Sequence, residues 1–161
     1  MRLWLQASGG RAVHIVGVGN SIRQDDAAGL EVVSMLKRSG PGKMQNVKIH
    51  PNSLNPERVM SRVASRGEKL LLFDAVEANE APGSVLFAGL EDTKYGFFAT
   101  HNVPLRLVPG LSEHLGDAKV IGIQPEILGV GEGLSETVRS SCARVASTTA
   151  AILREMADGH D

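Results

Sequence analysis

The stretch that decides the fold is AVHIVGVGNSIRQDD, residues 12–26. It begins as a continuous apolar run and reaches a Gly-x-Gly turn, which is typical of a parallel strand buried on both faces. A helical pattern then runs over 25–38, with Asp25 expected as its capping acid and Lys37 and Arg38 in its last turn. A strand, a glycine turn and a helix in this order predict the first unit of an α/β fold.

The rest of the chain continues the alternation of strand and helix. Further strands are predicted at 46–50, 68–76, 84–90 and 118–125, and further helices at 55–67 and 134–157, the last with Ser135 as its cap. The connection before the fourth strand is too short for a helical crossover, so that strand is predicted to be antiparallel at a sheet edge. The pattern predicts a three-layer α/β/α sandwich whose five-stranded sheet is mostly parallel, with strand 4 antiparallel.

Length and composition indicate one globular domain over residues 1–161, with 1–11 as a leader segment of uncertain order. A formal net charge of -1 gives no reason to expect nucleic acid or an anionic membrane as a partner. No apolar run approaches the roughly 20 residues of a membrane span. Cys142 is the only cysteine, which excludes a disulfide framework and predicts a buried structural thiol. We therefore expect a cytoplasmic protein.

The Gly-x-Gly turn does not fit a phosphate site. A dinucleotide fingerprint needs a third glycine where this chain has Ile22, and a helix start without acids. A phospho-receiver domain is an open alternative, because it also places acids after strand 1 and an Asp at the end of strand 3. It needs a Lys at the end of strand 5, however, where this chain has Gln124. Nucleophilic catalysis lacks a Gly-x-Ser-x-Gly elbow.

Acidic side chains follow two strands that are expected to be neighbours. Asp26 lies in the loop after strand 1 and Asp74 ends strand 3. Each alone also fits a helix cap or a turn, but parallel strands bring their carboxyl ends to one crevice, where such folds bind ligands. His101 lies in the loop FFATHNVPL, residues 97–105. If that loop folds over the crevice, two carboxylates and one imidazole form a set that suits a transition metal such as nickel.

Four blocks of sequence together resemble a known family. They are GVGNSIRQDDAAG (17–29), LLLFDA (70–75), THNVPL (100–105) and GIQPEIL (122–128). In this order and spacing they resemble the nickel-iron hydrogenase maturation endopeptidases, and within them the branch that serves hydrogenase 3 of formate hydrogenlyase. The resemblance extends from about Val13 to the last helix.

The resemblance implies a function and a site. It implies an aspartyl-type endopeptidase that removes a C-terminal extension from a hydrogenase large-subunit precursor after nickel insertion. The nickel is supplied by this substrate, and no tightly bound cofactor is expected. Asp26, Asp74 and His101 would be both the catalytic residues and the nickel contacts. The supporting loop residues would be Gly19, Asn20, Asp25, Thr100 and Asn102. A catalytically silent nickel- or partner-binding module on the same scaffold is the alternative.

Two departures from the family pattern concern the site. Gln24 and Ala27 flank the acid pair where many members have glycine on both sides, so we expect a stiffer loop. After strand 2 the chain reads His50-Pro51-Asn52-Ser53 in place of the usual Asp-Gly-Gly-Thr or Asp-Gly-Gly-Ser. His50 is expected to replace the missing Asp as a polar wall residue rather than as a metal ligand.

Overall fold

The secondary structure alternates between strands and helices in the predicted order. The structure is a computed structural model that describes residues 1–7, 9–40, 46–51, 56–90 and 117–158. The helices are α1 (Arg2–Gln6), α2 (Ala28–Ser39), α3 (Pro56–Ser65) and α4 (Glu136–Asp158), and a 3-10 turn, Gln24–Ala27, precedes α2. The strands are β1 (Val13–Gly17), β2 (Val47–His50), β3 (Lys69–Ala75), β4 (Val85–Gly89) and β5 (Ala118–Ile123).

Within the described ranges, these strands form a five-stranded mixed sheet in the order β2-β1-β3-β5-β4. The pairs β1–β2, β1–β3 and β3–β5 are parallel, whereas β4 runs antiparallel to β5 at the edge. The predicted sandwich with an antiparallel fourth strand is therefore confirmed. Every residue of β1 and of β3 is buried, because helices cover both faces, and this burial explains their unbroken apolar runs.

The two faces of the sheet form separate halves of the core. Successive side chains of a strand point to opposite faces, so neighbours in sequence join different halves. One face packs against α2 and α4 and includes Ile15, Phe73, Leu36 and Leu153. The other packs against α3 and includes Val16, Leu72, Met60 and Val63.

Helix α2 ends as predicted but begins differently. Gly40 follows it with a φ of 76°, a left-handed conformation that suits glycine, and Lys37 and Arg38 occupy its last turn. The expected acid cap at its start is wrong, because neither the 3-10 turn nor α2 has a side-chain cap hydrogen bond. The carboxylate of Asp25 accepts hydrogen bonds from another part of the chain.

The N-terminal leader contains a helix that the sequence did not predict. Leu5 of α1 is fully buried, and Arg2 lies 2.8 Å from Glu155 of α4. The ammonium group of Lys69 lies 4.6 Å from the ring centroid of Trp4 and donates a hydrogen bond to the Trp4 carbonyl. These contacts attach α1 to the amino end of the sheet. In the part of the chain that the structure describes, no helix is long and apolar enough to cross a membrane.

Candidate active site

The turn after β1 is built around a glycine that no other residue can replace. The backbone of Gly19 has a φ of 152°, and a Cβ atom there would lie 2.2 Å from the carbonyl oxygen of Asp26. The amide of Asn20 donates to that same oxygen at 3.3 Å. The side-chain Oδ1 of Asn20 accepts from the amide of Ile22 at 3.1 Å, which closes the turn. The loop thus folds back on itself and fixes the backbone of Asp26.

Close backbone contacts place this loop at the carboxyl end of β3. The amide of Val18 donates to the carbonyl of Phe73 at 2.8 Å. At Gly29, in the first turn of α2, a Cβ atom would lie 2.1 Å from that same carbonyl, so α2 begins almost in contact with β3. Asp26 lies three residues before Gly29, and Asp74 directly follows Phe73. The structure therefore brings Asp26 and Asp74 to the same edge of the sheet, with 0% and 8% of their surfaces exposed.

Asp25 has a different role from its neighbour. Its carboxylate is fully buried and accepts four hydrogen bonds. They come from the amide and hydroxyl of Ser135, at 2.7 and 2.9 Å, and from the amides of Glu126 and Ile127, both at 2.9 Å. The hydroxyl of Ser135 in turn accepts from the amide of Val138 at 3.4 Å, so Ser135 caps α4 as predicted. Asp25 thus joins the loop after β1 to the loop after β5 and to the start of α4.

Gln24 extends this connection at some cost in backbone strain. Its φ is 50°, in the left-handed region that residues other than glycine rarely adopt. Its amide donates to the carbonyl of Gly131 at 3.0 Å, and its side-chain Oε1 accepts from the amide of Gly129 at 3.2 Å. A glycine at this position would adopt the same φ without strain. Here the glutamine side chain compensates by holding the 129–131 segment.

Gln124 holds the segment that follows Asp74, a role that sequence reasoning missed. It comes directly after β5, and its Oε1 accepts from the amides of Ala78 at 2.8 Å and Glu80 at 3.3 Å. Its backbone carbonyl accepts from the amide of Gly83 at 2.8 Å. The available signal was an amide side chain at the end of an apolar strand, just before Pro125.

Exposed apolar side chains line the joined loops beside the acids. Ile22, Ile127 and Val130 are 58%, 45% and 92% exposed. A parallel bridge between Arg23 and Gly131 holds the two loops together. The surface next to Asp26 therefore presents these apolar side chains among exposed charged ones, Glu126 and Glu132.

Cys142 takes no part in the chemistry of this edge. It is buried in α4, as predicted, and its Sγ lies 3.7 Å from the carbonyl oxygen of Ala28. Burial, together with the nearby Glu31 and Asp25, raises the pKa of its thiol to about 12. A thiol with this pKa is a poor nucleophile at neutral pH.

The third predicted site residue, His101, lies outside the described residues, as do Thr100 and Asn102. Among the residues that are described, no three His, Cys, Asp or Glu side chains are grouped so as to hold a metal ion. What the described residues provide is a pair of buried carboxylates at one sheet edge. Such a pair can supply two oxygen ligands to a cation, or an acid and a base for hydrolysis. The full three-residue site stays a prediction.

Comparison with known proteins identifies the family of this scaffold. The family model described as hydrogenase maturation protease (HycI) matches residues 30–152. The hydrogenase 3 maturation protease of Escherichia coli K12 is 28% identical over 130 residues, 80% of this chain and 82% of its own length.

Solved structures agree. The crystal structure of a nickel-iron hydrogenase maturation protease HycI from Thermococcus kodakarensis KOD1 has a TM-score of 0.77 and 30% identity, covering 96% of this chain and 99% of that one. The solution structure of the Escherichia coli endopeptidase HycI has a TM-score of 0.68 and 24% identity, covering 84% and 87% of the two chains, and supports the fold alone.

Proposed function

Because the chain belongs to the hydrogenase maturation protease family, we propose that it removes a C-terminal extension from the precursor of a nickel-iron hydrogenase large subunit after nickel has been inserted. Its membership of this family makes it an endopeptidase. The proposal adds the dependence on nickel, the C-terminal position of the cleaved bond, and a cytoplasmic site of action.

The observation that carries the proposal is the convergence of Asp26 and Asp74 at one edge of the sheet. The turn around Gly19 fixes one of them, and the hydrogen-bonded segment after β3 follows the other. The four hydrogen bonds to Asp25 account for the burial of that carboxylate. Of the two adjacent acids, Asp25 is therefore structural, and we assign the metal contact to Asp26.

Nickel is part of the substrate in this proposal. Asp26, Asp74 and His101 would add two oxygens and one nitrogen to a nickel ion that thiolates of the precursor already hold. Nickel accepts such a mixed set of donors. Binding in this way would fix the peptide bond to be cleaved next to the acids, and positioning of this kind accounts for a large part of enzymatic rate enhancement. A precursor without nickel would lack these contacts and bind poorly.

The exposed apolar side chains on these loops support a protein substrate rather than a small one. Ile22, Ile127 and Val130 lie on the two joined loops beside Asp26, where a folded precursor would rest. We infer that these side chains contact the large subunit near its C-terminal extension.

The experiment compares nickel-loaded with nickel-free precursor, using mass spectrometry to follow release of the C-terminal peptide. We expect cleavage of the loaded form only, and its loss in Asp26→Asn, Asp74→Asn and His101→Gln. Glu132→Gln, which removes an exposed charge, should cleave normally and serves as the control. Equal cleavage of both precursor forms would refute the dependence on nickel. Nickel-dependent binding without cleavage would instead identify a catalytically silent module.

A further inference from the structure

Two imidazoles and a carboxylate form a linear array on the α3 face of the sheet, apart from the candidate site. His14 of β1 is 5% exposed, and its Nδ1 lies 2.8 Å from Nε2 of His50 at the end of β2. The two ring planes are nearly parallel, with 9° between them and 5.0 Å between the ring centroids. With nitrogen atoms this close, the rings meet edge to edge in a hydrogen bond. On its other side, Nε2 of His14 lies 2.9 Å from Oε2 of Glu68, just before β3.

The array connects three neighbouring strands and is surrounded by both signs of charge. It reaches from Glu68 across β1 to the carboxyl end of β2. The contact with Glu68 is close in distance but does not meet the geometry of a hydrogen bond, so Glu68 acts on the His14 ring through the charge of its carboxylate. The other charged side chains that face the array from the described residues are Lys48 of β2, 3.8 Å from Glu68, and Arg62 of α3.

The distances decide where the hydrogens are. A lone pair on Nε2 of His14 would face the carboxylate oxygen of Glu68 at 2.9 Å and be repelled by it, so the neutral ring carries its hydrogen on Nε2. Neutral His14 then has a lone pair on Nδ1, which accepts the Nε2–H of His50. Both neutral rings are thus Nε2–H tautomers, and the unprotonated nitrogen of His50 is Nδ1. Burial lowers the pKa of both rings, which favours this neutral state near pH 7.

Only one further proton fits this arrangement. A first proton on Nδ1 of His50 leaves every contact intact, and the hydrogen shared between the rings can then move to His14, beside the carboxylate. A second proton would put an N–H on each of the two facing nitrogens. Two N–H groups cannot face each other across 2.8 Å, so the His14–His50 contact must break.

We propose that Glu68, His14 and His50 form a proton-sensitive tie between the strands. The His14–His50 hydrogen bond of this tie is kept when the pair binds no added proton or one, and it breaks when a second proton binds. Loss of the His14–His50 hydrogen bond would release the carboxyl end of β2. This strand is four residues long and pairs only with β1 in the described sheet. This end lies at the same sheet edge as Asp26 and Asp74. The tie is independent of whether the site binds nickel.

The test is nuclear magnetic resonance of the full chain labelled with ¹⁵N histidine, titrated from pH 8 to pH 5, with His50→Asn used for assignment. At pH 8 both rings should be Nε2–H tautomers. Proton binding to the pair should occur in two steps separated by about one pH unit or more, a tenfold difference in affinity. The protection of the Val47–His50 amides from hydrogen exchange, corrected for the intrinsic pH dependence of exchange, should fall at least tenfold at the second step only.

Two variants that each remove one negative charge sharpen the test. Glu68→Gln should move the first step to lower pH, because the carboxylate stabilises the added proton. Glu132→Gln, at an exposed position, should leave both steps in place. An Nδ1–H tautomer for either ring at pH 8 overturns the proposal, as does titration of both rings in one step. If Glu68→Gln does not fold, the tautomers and steps of the unmodified chain still decide.

Discussion

At the scale of single residues, the adjacent acids Asp25 and Asp26 have separate roles. All four hydrogen bonds to the carboxylate of Asp25 come from the 126–135 segment, whereas the backbone of Asp26 is fixed by Gly19 and Asn20. This difference predicts that a conservative substitution at Asp25 lowers stability, whereas one at Asp26 lowers activity.

Asp25→Asn should destabilise the protein, because the new amide group directs N–H donors at existing donors. We expect a loss of about 3 kcal/mol in the free energy of unfolding, which lowers the melting temperature by roughly 6–12 °C. Asp26→Asn should abolish cleavage with a smaller loss of stability. Thermal denaturation and the cleavage assay measure the two effects. The separation of roles is wrong if Asp25→Asn melts like the unmodified protein.

Gln24 permits a second prediction, about backbone strain. Gln24→Ala and Gln24→Gly both remove the side-chain bond to Gly129, but only glycine relieves the φ of 50°. The glycine variant should therefore be more stable than the alanine variant by about 1 kcal/mol.

Urea unfolding of both Gln24 variants checks this order. The control is Ala151, an exposed position within α4, where glycine should instead be about 1 kcal/mol less stable than alanine. If alanine is the more stable residue at position 24 as well, the strain argument fails.

The sequence indicates the importance of the acid pair but not the division of labour within it. Two adjacent aspartates look alike until the partners of each are known, and the partners of Asp25 lie more than 100 positions further along the chain. The strained backbone at Gln24 was partly indicated by the sequence, since the family resemblance implies a glycine at this position. Asp26 and Asp74 were singled out because strand ends meet in a parallel sheet. The placement of His101 stays a prediction.

At the scale of elements, the strands were predictable and α1 was not. A strand buried on both faces produces a continuous apolar run, and β1 and β3 are of this kind. Helix α1 has five residues, too few to show helical periodicity. Its position depends on tertiary contacts with Lys69 and Glu155, which local patterns do not record.

Helix α1 should therefore stabilise the protein through one side chain. Leu5→Ala removes a fully buried leucine and should lower the free energy of unfolding by about 3 kcal/mol. Leu3→Ala changes the same helix at a side chain that is 82% exposed and should have an effect within about 0.5 kcal/mol. Chemical denaturation distinguishes the two. Equal effects would mean that α1 does not pack as described.

At the scale of the whole molecule, the position of β3 beside β1 was predictable from the usual strand order of α/β sheets. The pairing of His14 with His50 was not. It depends on the register in which Val16 is aligned with His50 across β1 and β2, so that the two imidazoles meet on one face. Sequence gives the strands but not their relative offset, and a shift of one residue would separate the rings.

This pairing predicts a pH dependence of global stability. Burial lowers the pKa of both imidazoles in the folded state below their usual value near 6.5. The unfolded chain then binds more protons as the pH falls below about 6.5, so stability is fully present above that pH and declines below it.

Urea unfolding at pH 7.5 and pH 5.5 should show this loss in the unmodified protein. The variant His14→Gln/His50→Gln should show a smaller difference between the two pH values, even if it is less stable at both. An unchanged difference would show that these imidazoles do not contribute.

The contact between Trp4 and Lys69 has a practical consequence. Trp4 is the only tryptophan of the chain, and it packs at the amino end of β3, about 17 Å along the strand from Asp74. The tryptophan fluorescence of this chain therefore reports on one position. We expect it to change when α1 detaches from the sheet, or when a structural change at the acid pair extends along β3 to Trp4. If the Trp4 emission stays unchanged when the precursor binds at Asp26 and Asp74, binding does not alter the amino end of the sheet. Trp4 is thus a built-in fluorescent probe for that end of the protein.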